Sequence, residues 1–328
     1  MTSADVRDWG DWTELKLDIL AKYLDSFTTA SKRLASRVFL DAFAGQGLGR
    51  NRRTGELFEG SARVALNVSD PPMTHLRFFE LDASNADRLR HDLENEFPGR
   101  DIVVHQGDCN DKIQEALREL THVNWAPTFA FLDPDGIQLR WSTLRELAAH
   151  KQRSPNKVEM WLLFSTMGLV RRLALDEHKL RPDDEQAATD AFGDESWRPI
   201  YDLRRTGHLN GQQARGEYIN LYRWKLEHEL GYTHTFALEI RNDRGVPIYA
   251  MVFATDNVAG KNIMRHLYEK AALAAPRRRE LVRAEQSGVQ QLALGLGDET
   301  ALRDPLWVDP PWQPPTHDGD QPAHPHGV

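Results

Sequence analysis

Four short apolar runs in this chain each lead into an acid, and a carboxylate in that position can hold hydroxyls or amines. The first is Val38-Phe39-Leu40-Asp41, followed at once by Ala42-Phe43-Ala44-Gly45-Gln46-Gly47. The second, Leu76-Arg77-Phe78-Phe79-Glu80-Leu81-Asp82, brings two carboxylates. The third, Ile102-Val103-Val104-His105-Gln106, runs into Gly107-Asp108-Cys109-Asn110, and the fourth, Phe129-Ala130-Phe131-Leu132, ends in Asp133-Pro134-Asp135-Gly136. In an open α/β sheet, ligands bind just outside the carboxyl ends of strands, where all four acids would sit. Glu80 suits ribose hydroxyls there, while Asp82 is placed to cap the next helix, and Asp108 suits an exocyclic adenine amine. Pro134 cannot continue a central strand and leaves nearby carbonyls free to accept from a substrate.

The glycine turn narrows the ligand. Gly45 and Gly47 let the backbone bend and approach a ligand where a Cβ would block it. A dinucleotide, a nucleotide phosphate or S-adenosylmethionine (SAM) would suit such a turn. Gly45-Gln46-Gly47-Leu48-Gly49 is not the dinucleotide fingerprint, because Arg50 stands in its last glycine place, and no P-loop motif occurs. Cys109 reads as a small packing residue, since no proline-cysteine motif surrounds it.

The elements that must position these residues follow from periodicity. Leu15, Ile19, Leu20, Tyr23, Leu24 and Phe27 form a helical stripe behind a capping box at Asp11 and Glu14. This helix would pack on the sheet, with Lys16 able to reach toward the ligand. Residues 49–56 read as a polar, flexible, basic loop, and Ser61 starts a short helix. Helices are expected over 86–97 and 112–120 and around Trp141, Leu144 and Leu147. Val158 to Ser165 is a fifth strand, with Gly168 and Arg171 beyond it on the ligand side. Residues 173–211 turn polar and read as a helical insertion, and Tyr218 to Leu230 as a helix stopped by Gly231. Asn242-Asp243-Arg244-Gly245 joins strands 233–241 and 246–254 as a hairpin, and a helix over 260–274 closes the domain. The expected architecture is α/β, a Rossmann-like, mostly parallel sheet with an antiparallel C-terminal strand. Its domain spans 37–275, with the N-terminal helix (1–36) packed on it.

Beyond Pro276 comes a short amphipathic stretch, then a Pro-, Asp-, Gly- and His-rich tail expected to be disordered. His317, His324 and His326 there read as solvated rather than as a metal site. With 328 residues, 40% hydrophobic, the chain can bury a large core. A net charge of −8 argues against coating nucleic acid through general positive charge. One cysteine excludes an internal disulfide and suits a reducing cytoplasm, and no apolar run is long enough to span a bilayer.

Taken together, several motifs resemble the three-Cys-motif partner proteins. They are Trp12-Thr13-x-x-Lys16-Leu17, Asp41-x-Phe43-Ala44-Gly45-x-Gly47, Phe79-Glu80, Gly107-Asp108-x-Asn110, Phe131-Leu132-Asp133-Pro134-x-Gly136, Val252-Phe253-Ala254-Thr255 and Gly260-x-x-Ile263-Met264. The resemblance covers roughly residues 9 to 275. It implies a class I methyltransferase-like fold, SAM as cofactor and a separate three-cysteine-motif protein as partner. Asp41, Ala44, Gly45 and Gly47 would line the methionine end of SAM, Glu80 the ribose, and Asp108 with Cys109 the adenine side. Asp133 and Pro134 fall where amino-methyltransferases carry their catalytic turn, with Asp135, Gly136 and Arg171 toward the substrate. Asp135 and Gly136 depart from the usual second proline and aromatic; the Asp-Pro-x-Gly form is more similar to tRNA guanine-N2 methyltransferases. The expectation is methyl transfer to an amino group, most plausibly of a nucleic-acid base. The alternatives are an interaction protein that keeps the fold without catalysis and, more remotely, a nicotinamide-dependent oxidoreductase.

Overall fold

The computed structural model describes residues 8–9, 11–52, 54–151, 154–241, 246–286 and 307–308. Residues 242–245, the expected hairpin turn, and the tail histidines His317, His324 and His326 lie outside them. The chain divides into two compact units. The first comprises Met1–Asp133, Thr143–Leu162 and Thr255–Leu267; the second comprises Pro134–Ser142, Leu163–Ala254 and Tyr268–Val328.

In chain order the first unit starts with strand β1 (Asp8–Trp9), helix α1 (Asp11–Ala30) and strands β2 (Val38–Asp41), β3 (Leu48–Asn51) and β4 (Leu57–Glu59). There follow α2 (Ser61–Asn67), β5 (His75–Glu80), α3 (Ala83–Glu96), β6 (Asp101–Gln106), α4 (Cys109–Glu119), β7 (Thr128–Leu132), α5 (Trp141–Ala149) and β8 (Glu159–Phe164). The parallel strands run in the order β6-β5-β2-β7-β8. Every residue of β2, β7 and β8 is buried, as a parallel sheet covered on both faces requires. On one face α1 brings Tyr23 and Phe27 onto Phe129, with ring centroids 5.0 and 6.0 Å apart, and Phe129 stacks on Phe39 at 6.2 Å. Such fully buried aromatic side chains each contribute roughly 1.5–3 kcal/mol.

One expectation needs correcting here. Residues 49–51 of the expected loop are strand: β3 pairs with β4 as an antiparallel hairpin and with β1 in parallel. The Glu14 carboxylate accepts from the Asn51 side chain, which ties α1 to this small sheet.

The second unit holds α6 (Thr166–Arg172), α7 (Pro182–Phe192), α8 (Arg198–Arg205), α9 (Gly211–His228), β9 (His234–Arg241), β10 (Pro247–Thr255), most of the long α10 (Val258–Gln286) and β11 (Trp307–Val308). Here β10 lies between β9 and the end of β8. The five residues joining β9 to β10 are too few for a parallel crossover, so the two are antiparallel. Thr255, the last residue of β10, bonds to Glu159, the first of β8, so β10 also runs opposite to β8. The sheet is therefore mostly parallel with an antiparallel C-terminal strand, the Rossmann-like α/β class expected.

Three boundaries shift. Asn210 and Gln213 form a capping box that starts α9 seven residues before Tyr218. Helix α10 continues through Pro276, which forfeits one backbone donor without ending it. Trp307–Val308 pairs antiparallel with β9. Among the described residues, no helix is long and apolar enough to cross a membrane.

Candidate active site

Parallel registers fix where the acids lie. Asp41 on β2 is level with Phe78 on β5 and Phe131 on β7, while Glu80 on β5 is level with Gln106 on β6. Asp41, Glu80, Asp108 and Asp133 thus leave four neighbouring strands at the same, carboxyl, edge.

At its centre are three ionisable side chains. Lys16, 2% exposed on α1, forms an ion pair with the Asp133 carboxylate. Asp41 is fully buried, and burial pushes its carboxyl up to about 7. Ser61 and the Phe43 N–H oppose that shift, the Asp133 charge adds to it and Lys16 subtracts. Asp41 Oδ1 accepts from the Phe43 N–H at 3.2 Å, and Oδ2 has no hydrogen-bond partner. A buried oxygen without a partner costs about 1–3 kcal/mol unless a ligand, a water or its own proton satisfies it.

The two glycines of the turn do different jobs. Both have positive φ, +60° at Gly45 and +73° at Gly47. A Cβ on Gly45 would meet no heavy atom within 4 Å, so that side of the turn is open. A Cβ on Gly47 would lie 2.7 Å from Arg63 Nη1 and from Leu89 Cδ1. Arg63, itself buried, donates to the Gly47 carbonyl at 2.7 Å and holds Glu96 through Nε and Nη2. The Ala44 N–H is taken by the Phe79 carbonyl, 2.9 Å away, which pins the turn to β5.

The flanking residues are positioned by helix starts. Glu80 Oε1 accepts from the Asp82 N–H at 2.9 Å, and Asp82 caps α3 by accepting from Asn85. Asp108 caps α4, its Oδ1 receiving both the backbone and side-chain N–H of Asn110 at 2.9 and 2.8 Å. Cys109, buried, is the first residue of α4, so the helix begins three residues earlier than periodicity alone indicates. Asn110 in turn accepts from Thr143 at 2.7 Å.

The remaining candidates belong to the second unit. Pro134 is buried and Asp135 exposed. Gly136 Cα lies 3.6 Å from where a Cβ on Gly168 would stand, and Ser165 caps α6 by accepting the Gly168 N–H. Arg171 is exposed in the last turn of α6, beside Arg172, which pairs with Asp184 at 3.0 Å.

Ser61 and Arg63 carry no motif that marks them as site residues. The only cue was their position on the first helix after the glycine turn.

No protein-family profile and no curated protein matches the chain. Several solved structures show a loose likeness. A Legionella pneumophila protein is 9% identical over 78% of this chain and 91% of its own, with a TM-score of 0.41. An O-methyltransferase of Bacillus cereus, solved in complex with SAH, is 12% identical over 72% and 79%, with a TM-score of 0.35. Trm1 of Pyrococcus horikoshii, solved with SAM, is 10% identical over 76% and 58%, with a TM-score of 0.36.

Proposed function

We propose that this chain is a SAM-dependent methyltransferase acting on an amino group, with a nucleic-acid base as substrate class and a three-cysteine-motif protein as partner. The observation that supports it is the edge just described: four carboxylates at neighbouring strand ends beside a glycine turn that is open at Gly45. The partner and the nucleic-acid substrate rest on the motif resemblance alone.

The residues fit SAM. The open side of Gly45 would admit its methionine end, and the unpartnered Asp41 Oδ2 is an acceptor ready for a donor at that spot. Glu80 keeps Oε2 for ribose hydroxyls while Oε1 holds the Asp82 N–H. When bound, SAM supplies a methyl group on a sulfonium, already activated for transfer.

The chain's own task is to orient the amine. An amine on a base ring is a weak nucleophile because its lone pair is drawn into the ring. Accepting its N–H bonds at the Asp133 carboxylate and at the carbonyl beside Pro134 favours a pyramidal nitrogen. Lys16 holds Asp133 in an ion pair, and the carboxylate retains lone pairs beyond the one Lys16 uses. As the nitrogen takes up the methyl group it sheds one proton, for which Asp133 would serve as acceptor. Positioning and electrostatics then supply the rate, with no covalent enzyme intermediate. A base inside a duplex would first have to be flipped out, at a cost of roughly a few kcal/mol.

Calorimetry with SAM tests the pocket: Gly45→Val and Glu80→Ala should both bind much more weakly than the wild type. Unchanged affinity in both variants rejects it. The Lys16–Asp133 pair also favours a second reading, an interaction protein that keeps the fold without catalysis, because the key carboxylate is already paired. Methyl transfer from labelled SAM into extracted RNA or DNA excludes that reading; a stable partner complex with no transfer supports it.

A further inference from the structure

Near the carboxyl end of β6, a histidine faces two acids of α4. His105 lies on β6 and stacks on Phe79 with ring centroids 5.1 Å apart, which fixes the imidazole plane. It is 7% exposed, and its Nε2 is buried with no hydrogen-bond partner. Glu115 and Glu119 stand one turn apart on α4, so both carboxylates point the same way. One ligand atom from each of the three residues lies within 4.8 Å of the others.

Neither side chain explains what His105 Nε2 is for. Glu119 Oε2 is 3.6 Å away, too far for a hydrogen bond. Each of the two acids also has a cation nearby. Arg77 gives both terminal nitrogens to Asp101, leaving Nε 3.3 Å from Glu119, and Lys112 pairs with Glu115 at 3.1 Å. The Lys112–Glu115 pair is solvent-exposed and of the kind that contributes little, so an incoming cation can displace it. Burial holds the His105 pKa below its ordinary value, against the pull of Glu119 and Glu115. A neutral imidazole can ligate a metal through Nε2.

We infer that His105, Glu115 and Glu119 form a binding site for a divalent transition-metal ion of the zinc class. One imidazole nitrogen and two carboxylates suit zinc better than magnesium or calcium, which favour all-oxygen sites. Zinc binds such ligands at about 2.0–2.2 Å, so the ligand atoms must close to roughly 3.3 Å of one another. The two glutamates are half exposed and free to swing inward, while His105 stays fixed. The ion would brace α4 against β6, the strand–turn–helix whose turn carries Asp108.

The test uses the full chain, stripped with chelator and titrated with zinc chloride by calorimetry. One ion per chain is expected, with His105→Ala and Glu115→Gln each weakening binding at least about tenfold. Glu115 is exposed, so its variant keeps the proposal falsifiable if His105→Ala fails to fold. No zinc binding, or wild-type affinity in both variants, overturns the site. So does an imidazole ¹⁵N titration in which His105 takes up a proton between the two acids while zinc leaves its signal unmoved.

Discussion

The two ends of the parallel strands in the first unit each bury a carboxyl that burial raises to about 7: Asp41 at the carboxyl end of β2, Glu159 at the amino end of β8. The surroundings differ. Glu159 Oε2 accepts from the Tyr23 hydroxyl and Oε1 from Thr255 at 3.1 Å, so both oxygens are used by the protein itself. Asp41 has one oxygen with no partner, beside an ion pair and an open turn. A displaced pKa therefore does not by itself separate a working site from an internal brace; here the two carboxyls differ in whether the protein fills their hydrogen-bonding positions. Glu159 joins α1, β8 and the end of β10, whereas Asp41 keeps one buried oxygen unpaired.

The sharpest way to break this contrast is to remove each acid in turn. Glu159→Ala strips two buried hydroxyls of their acceptor and opens a cavity, so urea unfolding should register a loss of about 3–5 kcal/mol. Asp41→Asn keeps the shape and should change stability by under about 1 kcal/mol, yet weaken SAM binding at least about tenfold. If Asp41→Asn unfolds the protein as readily as Glu159→Ala, the two ends are alike and both are structural.

Within the carboxyl edge, Gly45 and Gly47 repeat the contrast on a smaller scale. Gly47→Ala drives a methyl into Arg63 and Leu89 at a left-handed φ, and a loss of about 2–3 kcal/mol is expected in thermal or urea unfolding. Gly45→Ala meets only the backbone strain, about 1 kcal/mol. Equal losses would mean that the open side of Gly45 is filled by the protein after all.

The legible parts of the molecule were those where one short stretch carries its own reason. Val38-Phe39-Leu40-Asp41 and Phe129 to Leu132 are apolar on both faces and end in acids, so strand, burial and edge could all be read from them. Residues 48–51 could not be read that way. Leu48-Gly49-Arg50-Asn51 has no apolar alternation, and its strand exists because β1 and β4 flank it and Asn51 reaches Glu14. The brace at the amino edge was equally hidden. Tyr23 looks like one more member of an apolar stripe, and its hydroxyl matters only because Glu159, 136 positions later, comes to meet it. The one visible cue was a carboxylate at the head of an otherwise apolar strand. Arg63 and Lys16 fall in the same class, since each acquires its role from a partner distant in sequence.

Titration separates the two carboxyls with the smallest and most specific effect. In the folded chain Asp41 and Glu159 hold protons up to about pH 7, whereas the unfolded chain releases them near pH 4. Between those values folding takes up protons, so stability is greatest at the acid end, falls as pH rises through about 7 and flattens above it. Glu217, raised to about 7 by burial in the second unit, adds to the same slope. Lys151, lowered to about 8 mainly by burial, acts in a separate window, where stability rises with pH from about 8 toward the ordinary lysine range. Urea unfolding at pH 5, 6 and 7 should show the decline, and Asp41→Asn and Glu159→Gln should each flatten it by at most about 1.4 kcal/mol per pH unit. Saturating SAM then distinguishes them. A ligand held by the free oxygen of Asp41 changes the Asp41 contribution and leaves those of Glu159 and Glu217 alone, so the slope still present with SAM should shrink in Glu159→Gln but not in Asp41→Asn. A SAM-saturated slope that depends on both acids as before would detach Asp41 from the cofactor, and with it the centre of the proposed pocket.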